Sequence, residues 1–301
     1  MSKENTAVTK KKIKRCKEDV VFDAACFIIL TLVLFVVAYP LYWVIISSIS
    51  APSAVSSGFT LKGYAEVFKN DQVMRGFLNS LIITFCGVMV NLIVTLPTSY
   101  ALSRSNFSGK KPITIFYLIT MFFGGGLIPT YLVIQRLQML NTIWALILPG
   151  CLSVYNMIVA RTFFKSNISE ELYEAAEIDG CTQARFFFQI ALPLSKAIIA
   201  ILVLYYGVGH WNSYFSALVY ISDKAKYPLQ LVLRNILITN QTALSQTATT
   251  AAARAALQEK QQLIDVMKYS LIIISSIPVL VMYPLVQKHF VKGVMIGSMK
   301  G

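Results

Sequence analysis

Six apolar runs, each long enough to cross a lipid bilayer, constrain the fold of this chain more than any other feature of its sequence. A bilayer core of roughly 30 Å requires about 20 apolar residues in one helix. No segment shows the alternating pattern of a transmembrane barrel strand. We therefore predict an all-α polytopic membrane protein with six transmembrane helices, at about residues 20–48, 77–103, 113–135, 142–164, 194–221 and 269–287.

Ionisable residues are nearly absent from these runs, and the few present lie close to their ends: Asp23, Arg104, Arg136, Arg161 and Lys196. Proton-coupled transporters usually place such groups deep in a span, so this pattern disfavours ion-coupled transport. The sequence has no P-loop for ATP and no catalytic nucleophile with a base. Its two histidines do not make a credible metal site. We expect a non-catalytic chain that binds no metal or cofactor itself.

The placement of Lys and Arg predicts the orientation. With a cytoplasmic N-terminus, the inner segments hold most of the 27 Lys and Arg residues, and positive charge favours the cytoplasmic side. We expect a multi-pass protein of the plasma membrane with both termini inside. Its parts are a basic tail 1–19, a membrane domain 20–290 and a tail 291–301. The net charge of +13 then reflects orientation and attraction to membrane lipid, and no nucleic-acid partner is expected.

A polar loop at 169–193 stands out between the fourth and fifth apolar runs. Ser169 can cap a helix that begins at Glu170, and Gly180 can adopt the positive φ that ends it. Thr182 can cap a second short helix, which we expect Leu192-Pro193-Leu194 to break. One face of the first helix collects Leu172, Ala175, Ala176 and Asp179. The loop could be an amphipathic helix resting on lipid, but its acidic charge opposes an anionic leaflet.

The residues of this loop carry a resemblance to a known family. Glu174-Ala175-Ala176, Asp179-Gly180 and Leu192-Pro193-Leu194 resemble the EAA loop of ABC importer permeases, in the carbohydrate-type, maltose-permease-like group. The segment 290–301 is also similar to the ending of that group, most of all to Gram-positive members that import oligosaccharides or polysaccharide fragments. The resemblance covers nearly the whole chain and implies the type I importer permease fold.

The resemblance also implies partners and coupling residues. It implies a second homologous permease subunit, two copies of a cytoplasmic ATPase that binds ATP and Mg, and an extracellular sugar-binding protein. In the family the first helix of the loop lies in a cleft of the ATPase. By this match, the residues expected to couple this chain to the ATPase are Glu174, Ala175, Ala176, Asp179, Gly180, Phe186 and Pro193.

A polar and aromatic cluster in the fifth run is a candidate substrate path. Aromatic faces suit the C–H surfaces of a sugar, and amides or hydroxyls suit its OH groups. The candidates are Tyr205, Trp211, Asn212 and Tyr214, with Asn79 of the second run as a weaker one. Helix packing with interhelical hydrogen bonds is the competing interpretation, and we expect His210 to be a packing residue.

Two further segments leave alternatives open. Gly124-Gly125-Gly126 and Pro129 interrupt the third run, which indicates either a kink for packing or a flexible point in a translocation path. The outer loop 222–268 contains an Ala- and Gln-rich stretch, 247–267, that predicts a surface helix. That helix could pack on the outer face of the chain itself or contact an extracellular partner.

The function that we expect is the permease subunit of an ATP-driven importer, coupled to its ATPase through the 169–193 loop. The expected cargo is an oligosaccharide or a polysaccharide fragment. The alternatives are a permease for another small solute, such as glycerol phosphate or a peptide, and a non-transporting membrane scaffold. An anionic cargo should require buried Arg or Lys along the path, so the sequence favours a neutral sugar.

Overall fold

The computed structural model describes residues 17–50, 58–243, 264, 267–284 and 286–287, and gives the backbone alone for residues 239–243. Most of the expected basic tail, the expected tail 291–301 and nearly all of the expected surface helix 247–267 lie outside these residues. The helices, in chain order, are α1 (Lys17–Ile49), α2 (Lys62–Lys69), α3 (Asp71–Ser103), α4 (Lys110–Phe122), α5 (Leu127–Arg136), α6 (Trp144–Gly150), α7 (Val154–Asn167), α8 (Glu170–Ile178), α9 (Gln183–Leu194), α10 (Lys196–Trp211), α11 (Tyr214–Tyr220), α12 (Leu229–Ala243) and α13 (Met267–Pro284).

The helices agree with six membrane crossings. Among the described residues, α1, α3 and α13 are long and apolar enough to cross a membrane singly. Three further pairs pass the same test together, so the count rises to six if each bent pair forms one span. Helix α1 belongs to a separate unit that ends at Ser47, and its apolar side chains are mostly exposed. A helix that exposes apolar side chains all round is typical of a membrane span.

The third, fourth and fifth spans are bent; the sequence predicted the interruption of the third at Gly124–Gly126, but it predicted continuous helices for the fourth and the fifth. The bends measure 113° between α4 and α5, 52° between α6 and α7, and 80° between α9 and α10. The last bend falls at Ser195, so helix α9 continues through Leu192-Pro193-Leu194, where we had expected it to break. The fifth span also stops at Trp211 and resumes as α11. Uniformly apolar runs contain little information about where a helix bends, because every position suits lipid.

The sharpest bend exposes polar backbone. Between α4 and α5, Gly126 has a φ of +86°, and a Cβ at Gly124 or Gly126 would meet nothing within 4 Å. Among the described residues, no hydrogen bond involves the N–H groups of Gly124, Gly125 or Gly126. Irregular backbone at membrane depth is tolerated only where protein or water receives it. If α4 and α5 form one membrane span, this break needs protein or a water-filled cavity beside it.

Helix α3 is the centre of the second unit, where it packs against α7, α10 and α12. A buried polar chain crosses this packing. Nε2 of His210 in α10 lies 2.6 Å from Oδ1 of Asn91 in α3, whose Nδ2 donates to the Gly150 carbonyl at 2.7 Å. Gly87 provides the space, since a Cβ there would lie 2.5 Å from the His210 ring. These contacts confirm the expectation that His210 is a hydrogen-bonded packing residue.

Helix α12 was not expected from the sequence. It occupies part of the loop 222–268, and its residues Leu229, Leu231 and Val232 are buried against α3 and α11. The first residue of α12 is held by α3, because Oγ of Ser80 accepts the Leu229 N–H at 2.8 Å. The helical spacing of apolar residues from 229 to 236 was the available signal.

Candidate functional site

Helix α8 has well-formed ends, as its sequence predicted. Oγ of Ser169 accepts the Leu172 N–H at 3.3 Å, which caps the first turn. At the other end Gly180 has a φ of +75°. Its N–H donates to the Glu177 carbonyl at 3.0 Å, and the Cys181 N–H donates to the Ala176 carbonyl at 2.9 Å. This pair of bonds is the Schellman motif, in which a residue of positive φ ends the helix.

An aromatic cluster holds α8 against the membrane domain. Tyr173 is the buried residue of the helix, and its ring packs edge-on against Phe186 of α9, with centroids 5.2 Å apart. Tyr100 near the end of α3 contacts Phe186 and Phe187 at 6.4 and 5.0 Å. Aromatic pairs at these separations contribute about 0.5–1.5 kcal/mol each beyond their buried area. The cluster therefore sets the orientation of the whole helix.

The opposite side of α8 is exposed and partly apolar. Ile178 exposes 86% of its surface, and Ala175 and Leu172 are exposed beside it. Phe188 of α9 is also exposed, at 65%. We call the three α8 residues, Leu172, Ala175 and Ile178, the docking face. Glu174, Asp179 and Gly180 are also exposed, at its border. Apolar centres with polar borders are typical of protein interfaces.

The docking face differs from the face predicted by the sequence. Ala176 is half-buried and packs against the aromatic cluster, so it points partly away from the docking face. Phe186 is fully buried, which leaves it no surface for contact with a partner; its place is in the anchor of α8. Pro193 remains exposed. The sequence did not predict the exposure of Ile178 and Phe188. For Phe188 the reason is that the pattern does not indicate which phenylalanine of 186–188 faces outward.

A small cavity lies between α8 and the loop that follows α3. It measures about 240 Å³, and its walls include Tyr100, Arg104, Glu170 and Tyr173. The guanidinium of Arg104 donates to Glu170 from Nη2 to Oε2 at 2.8 Å. Residues from the start of α8 and from the end of α3 line this cavity together, so the two helix ends lie side by side.

The structure separates the candidate path residues. Trp211 is 2% exposed and its indole N–H donates to the Ser275 carbonyl at 2.9 Å, which makes it a packing residue. Asn79 donates to the carbonyls of Ala225 and Tyr227 at 2.8 and 3.1 Å, so its amide braces the segment before α12. Tyr205, Asn212 and Tyr214 are exposed and remain predicted path residues.

A second cavity lies at the opposite end of α3. It measures about 490 Å³ and is lined by two cationic side chains, Lys224 and Arg234, and by the amide side chains of Asn70, Gln72 and Asn235, together with apolar residues. Helix α3 has 33 residues, which corresponds to about 50 Å of helix. One helix therefore joins the two cavities.

Fold and site together define a polytopic helical membrane protein with a capped, exposed helix at its surface. The chain is 37% identical over 247 residues to the polygalacturonan/rhamnogalacturonan transport system permease protein YtcP of Bacillus subtilis. The aligned region covers 82% of this chain and 84% of YtcP. It belongs to the permease proteins of ABC transporters. As a permease it is a non-catalytic subunit, and a separate ATPase hydrolyses ATP.

Two other comparisons agree. LplC of Bacillus subtilis is 42% identical over 243 residues, with 81% of this chain and 80% of LplC covered. A chain in the crystal structure of a bacterial ABC transporter that imports the acidic polysaccharide alginate superposes with a TM-score of 0.80. That match has 26% identity and covers 93% of this chain and all of the other. No family model matches the sequence.

Proposed function

We propose that this permease moves an oligosaccharide or polysaccharide fragment into the cell, and that the docking face of α8 couples it to a cytoplasmic ATPase. The observation that carries the coupling is the combination of a buried aromatic anchor on one side of α8 with Ile178 almost fully exposed on the other. A helix that is anchored on one side and exposes apolar residues on the other can bind a protein partner and transmit its movement to the membrane domain. ATP and Mg would bind to that partner.

The cargo class rests on the relatives and on the second cavity. YtcP is named for polygalacturonan and rhamnogalacturonan, and the matching structure for an acidic polysaccharide. Lys224 and Arg234 supply cations, and the neighbouring amides supply hydrogen bonds, for a saccharide that bears carboxylates. These observations favour an acidic cargo over the neutral one that the sequence suggested. The test compares uptake of two oligosaccharides in cells with and without this chain. If loss of the chain stops uptake of a neutral galactooligosaccharide and leaves uptake of an oligogalacturonide unchanged, the cargo is the neutral sugar.

The proposed assembly contains a second, homologous permease, two ATPase copies and an external binding protein. Two features support a second membrane partner. The N–H groups at Gly124–Gly126 need protein or water beside them. Helices α4 and α5 also expose Phe116, Phe122 and Ile128, which suit lipid or another subunit.

We propose that both termini and α8 face the cytoplasm. The Lys and Arg bias supports this orientation, as does the acidic character of α8, which favours contact with a protein over contact with an anionic leaflet. Cys181, half-buried at the end of α8, gives the check. In a variant that retains Cys181 alone, a membrane-impermeant maleimide should label inverted vesicles and not intact cells.

Purification of the chain in mild detergent, followed by mass spectrometry of the proteins recovered with it, tests the assembly. We expect a second permease in equal amount and an ATPase in twofold excess over each, because the exposed surfaces need both partners. Recovery of the chain by itself, from its source cells under conditions in which it is made, would count against the importer and favour the scaffold.

A separate prediction concerns Asn212, one of the exposed residues of the candidate substrate path. The exposed Asn212 amide donates to the Val208 carbonyl at 2.9 Å and keeps a second N–H for a sugar hydroxyl, so Asn212→Ala should raise the KM for uptake of the oligogalacturonide severalfold. Trp211→Phe, next to it in the chain, should lower thermal stability and leave KM unchanged, since its indole bonds the Ser275 carbonyl. The opposite pattern of KM values would remove Asn212 from the path.

A further inference from the structure

The loop after α3 holds the first residue of the docking helix by its side-chain carboxylate. Both oxygens of Glu170 are engaged, Oε2 by the Arg104 guanidinium at 2.8 Å and Oε1 by the Ser105 N–H at 3.2 Å. The Arg104 side chain is only 12% exposed, against 45% for Glu170. Charge-assisted bonds of this kind are stronger than neutral ones, and an arginine fixes direction as well as distance.

Arg104 also lies over three aromatic rings. Its guanidinium carbon is 4.7 Å from the ring centre of Tyr173, 5.6 Å from that of Tyr100 and 5.9 Å from that of Phe186. These rings belong to α8, α3 and α9 respectively. Cations at such distances from an aromatic face are attracted by the ring quadrupole. One side chain therefore touches the end of α3 and both helices of the coupling loop.

The backbone on both sides of Arg104 is fixed as well. Nε of Arg161 in α7 donates to the Leu102 carbonyl at 3.0 Å, and Nζ of Lys110 donates to the Arg104 carbonyl at 3.0 Å. These bonds hold the last turn of α3 and the start of the following loop. A displacement of Arg104 would thus move the end of α3 rather than a free loop.

The order of the helices along the chain shows why the contacts between Arg104 and α8 matter. Helix α8 is joined covalently to α7 before it and to α9 and α10 after it, whereas α3 is joined to it only through side chains. Helix α3 nevertheless packs against α7, α10 and α12 and reaches the second cavity at its far end. Among the described residues, the Arg104 contacts, the Ser105 N–H and the aromatic cluster connect α8 with the end of α3.

We propose that Arg104 is a positioning residue that makes α3 move together with α8 when the ATPase displaces the docking face. This proposal rests on the proposed function, since it presumes that an ATPase binds α8. Without the Arg104–Glu170 pair, α8 keeps its aromatic anchor and its docking face. It then moves with less effect on α3, so that ATP hydrolysis is less dependent on cargo.

The test uses the complete transporter in proteoliposomes. Arg104→Gln removes the charge and keeps a hydrogen-bonding side chain, and Glu170→Gln removes the same ion pair from the other side. Arg185→Gln is the matched control, because Arg185 is an exposed arginine of the same loop whose side chain, within the part of the chain that the structure describes, bonds only Gln189 of its own helix, at 2.9 Å. Arg104→Lys retains the charge without the planar guanidinium.

Two measurements separate coupling from docking and from folding. The first is ATP hydrolysis with and without the external binding protein loaded with oligogalacturonide. The second is the distance between spin labels at positions 93 and 177, on exposed residues of α3 and α8, with and without trapped nucleotide. Neither label replaces a residue that contacts Arg104. The spin-label distance does not depend on the identity of the cargo.

We expect Arg104→Gln and Glu170→Gln to retain the ATPase and the unstimulated hydrolysis rate. Stimulation by the loaded binding protein should fall on the order of tenfold, within the range of coupling between sites, and the label distances should broaden. Arg104→Lys should lie between, and Arg185→Gln should match the unsubstituted chain. Normal stimulation and distances in both glutamine variants would overturn the proposal. If no ATPase binds the unsubstituted chain, the proposed function itself fails.

Discussion

Gly180→Pro is expected to abolish uptake while the protein remains in the membrane. Proline fixes φ near −65°, whereas Gly180 has +75°, and proline also lacks the N–H that Gly180 donates to the Glu177 carbonyl. The substitution therefore destroys the Schellman motif and redirects the chain from α8 into α9. We expect recovery of the ATPase with the chain to fall by roughly tenfold or more, as for a lost interface centre.

Gly180→Asn is the matched control for this substitution. Asparagine enters the left-handed region more readily than other side chains, and a Cβ at Gly180 would meet nothing within 4 Å. This variant should keep most of the uptake, and both variants should show equal amounts of protein in the membrane by immunoblot. Equal uptake by the proline variant would mean that the end of α8 has no part in coupling.

Ala175→Trp is expected to release the ATPase with little effect on the fold. Ala175 lies in the docking face, opposite the buried Tyr173, and its small side chain allows another backbone to approach closely. An indole at this position would hold the partner away, and we expect at least about a tenfold loss of recovered ATPase. Thermal stability of the isolated chain should change by less than about 0.5 kcal/mol, as for other exposed substitutions.

Ala184→Trp provides the comparison, since Ala184 is also exposed in the coupling loop but belongs to α9 and lies outside the docking face. The two proteins should melt at similar temperatures, and only the substitution in α8 should lose the ATPase. If Ala175→Trp retains the ATPase at the level of Ala184→Trp, the partner does not cover the docking face.

The ends of the docking helix could be predicted because their signals are local. A serine cap, a glycine of positive φ and a threonine cap act within a few residues, and the structure contains all three. The number of apolar runs was equally accessible, since a bilayer sets the length of a crossing helix. Both kinds of inference need no knowledge of tertiary contacts.

The glycines at 124–126 indicated the break in the third span, but the bends of the fourth and fifth spans and the outward face of α8 could not be predicted, because tertiary contacts decide them. Tyr173 faces inward since Phe186, Tyr100 and Arg104 surround it, and these residues come from different parts of the chain. The pattern of α8 alone placed Ala176 outward. Similarly, the burial of Trp211 depends on Ser275, which is 64 residues away in the sequence.

The break between α4 and α5 has a consequence for how the cell makes this protein. A subunit inserted before the proposed second permease would expose the N–H groups of Gly124–Gly126, each costing several kcal/mol if neither protein nor water receives it. Such a subunit is an orphan that membrane proteases can recognise. We expect a shorter lifetime for this chain, measured by pulse-chase labelling, in cells that lack the second permease. Its abundance would then follow the synthesis of that partner rather than its own.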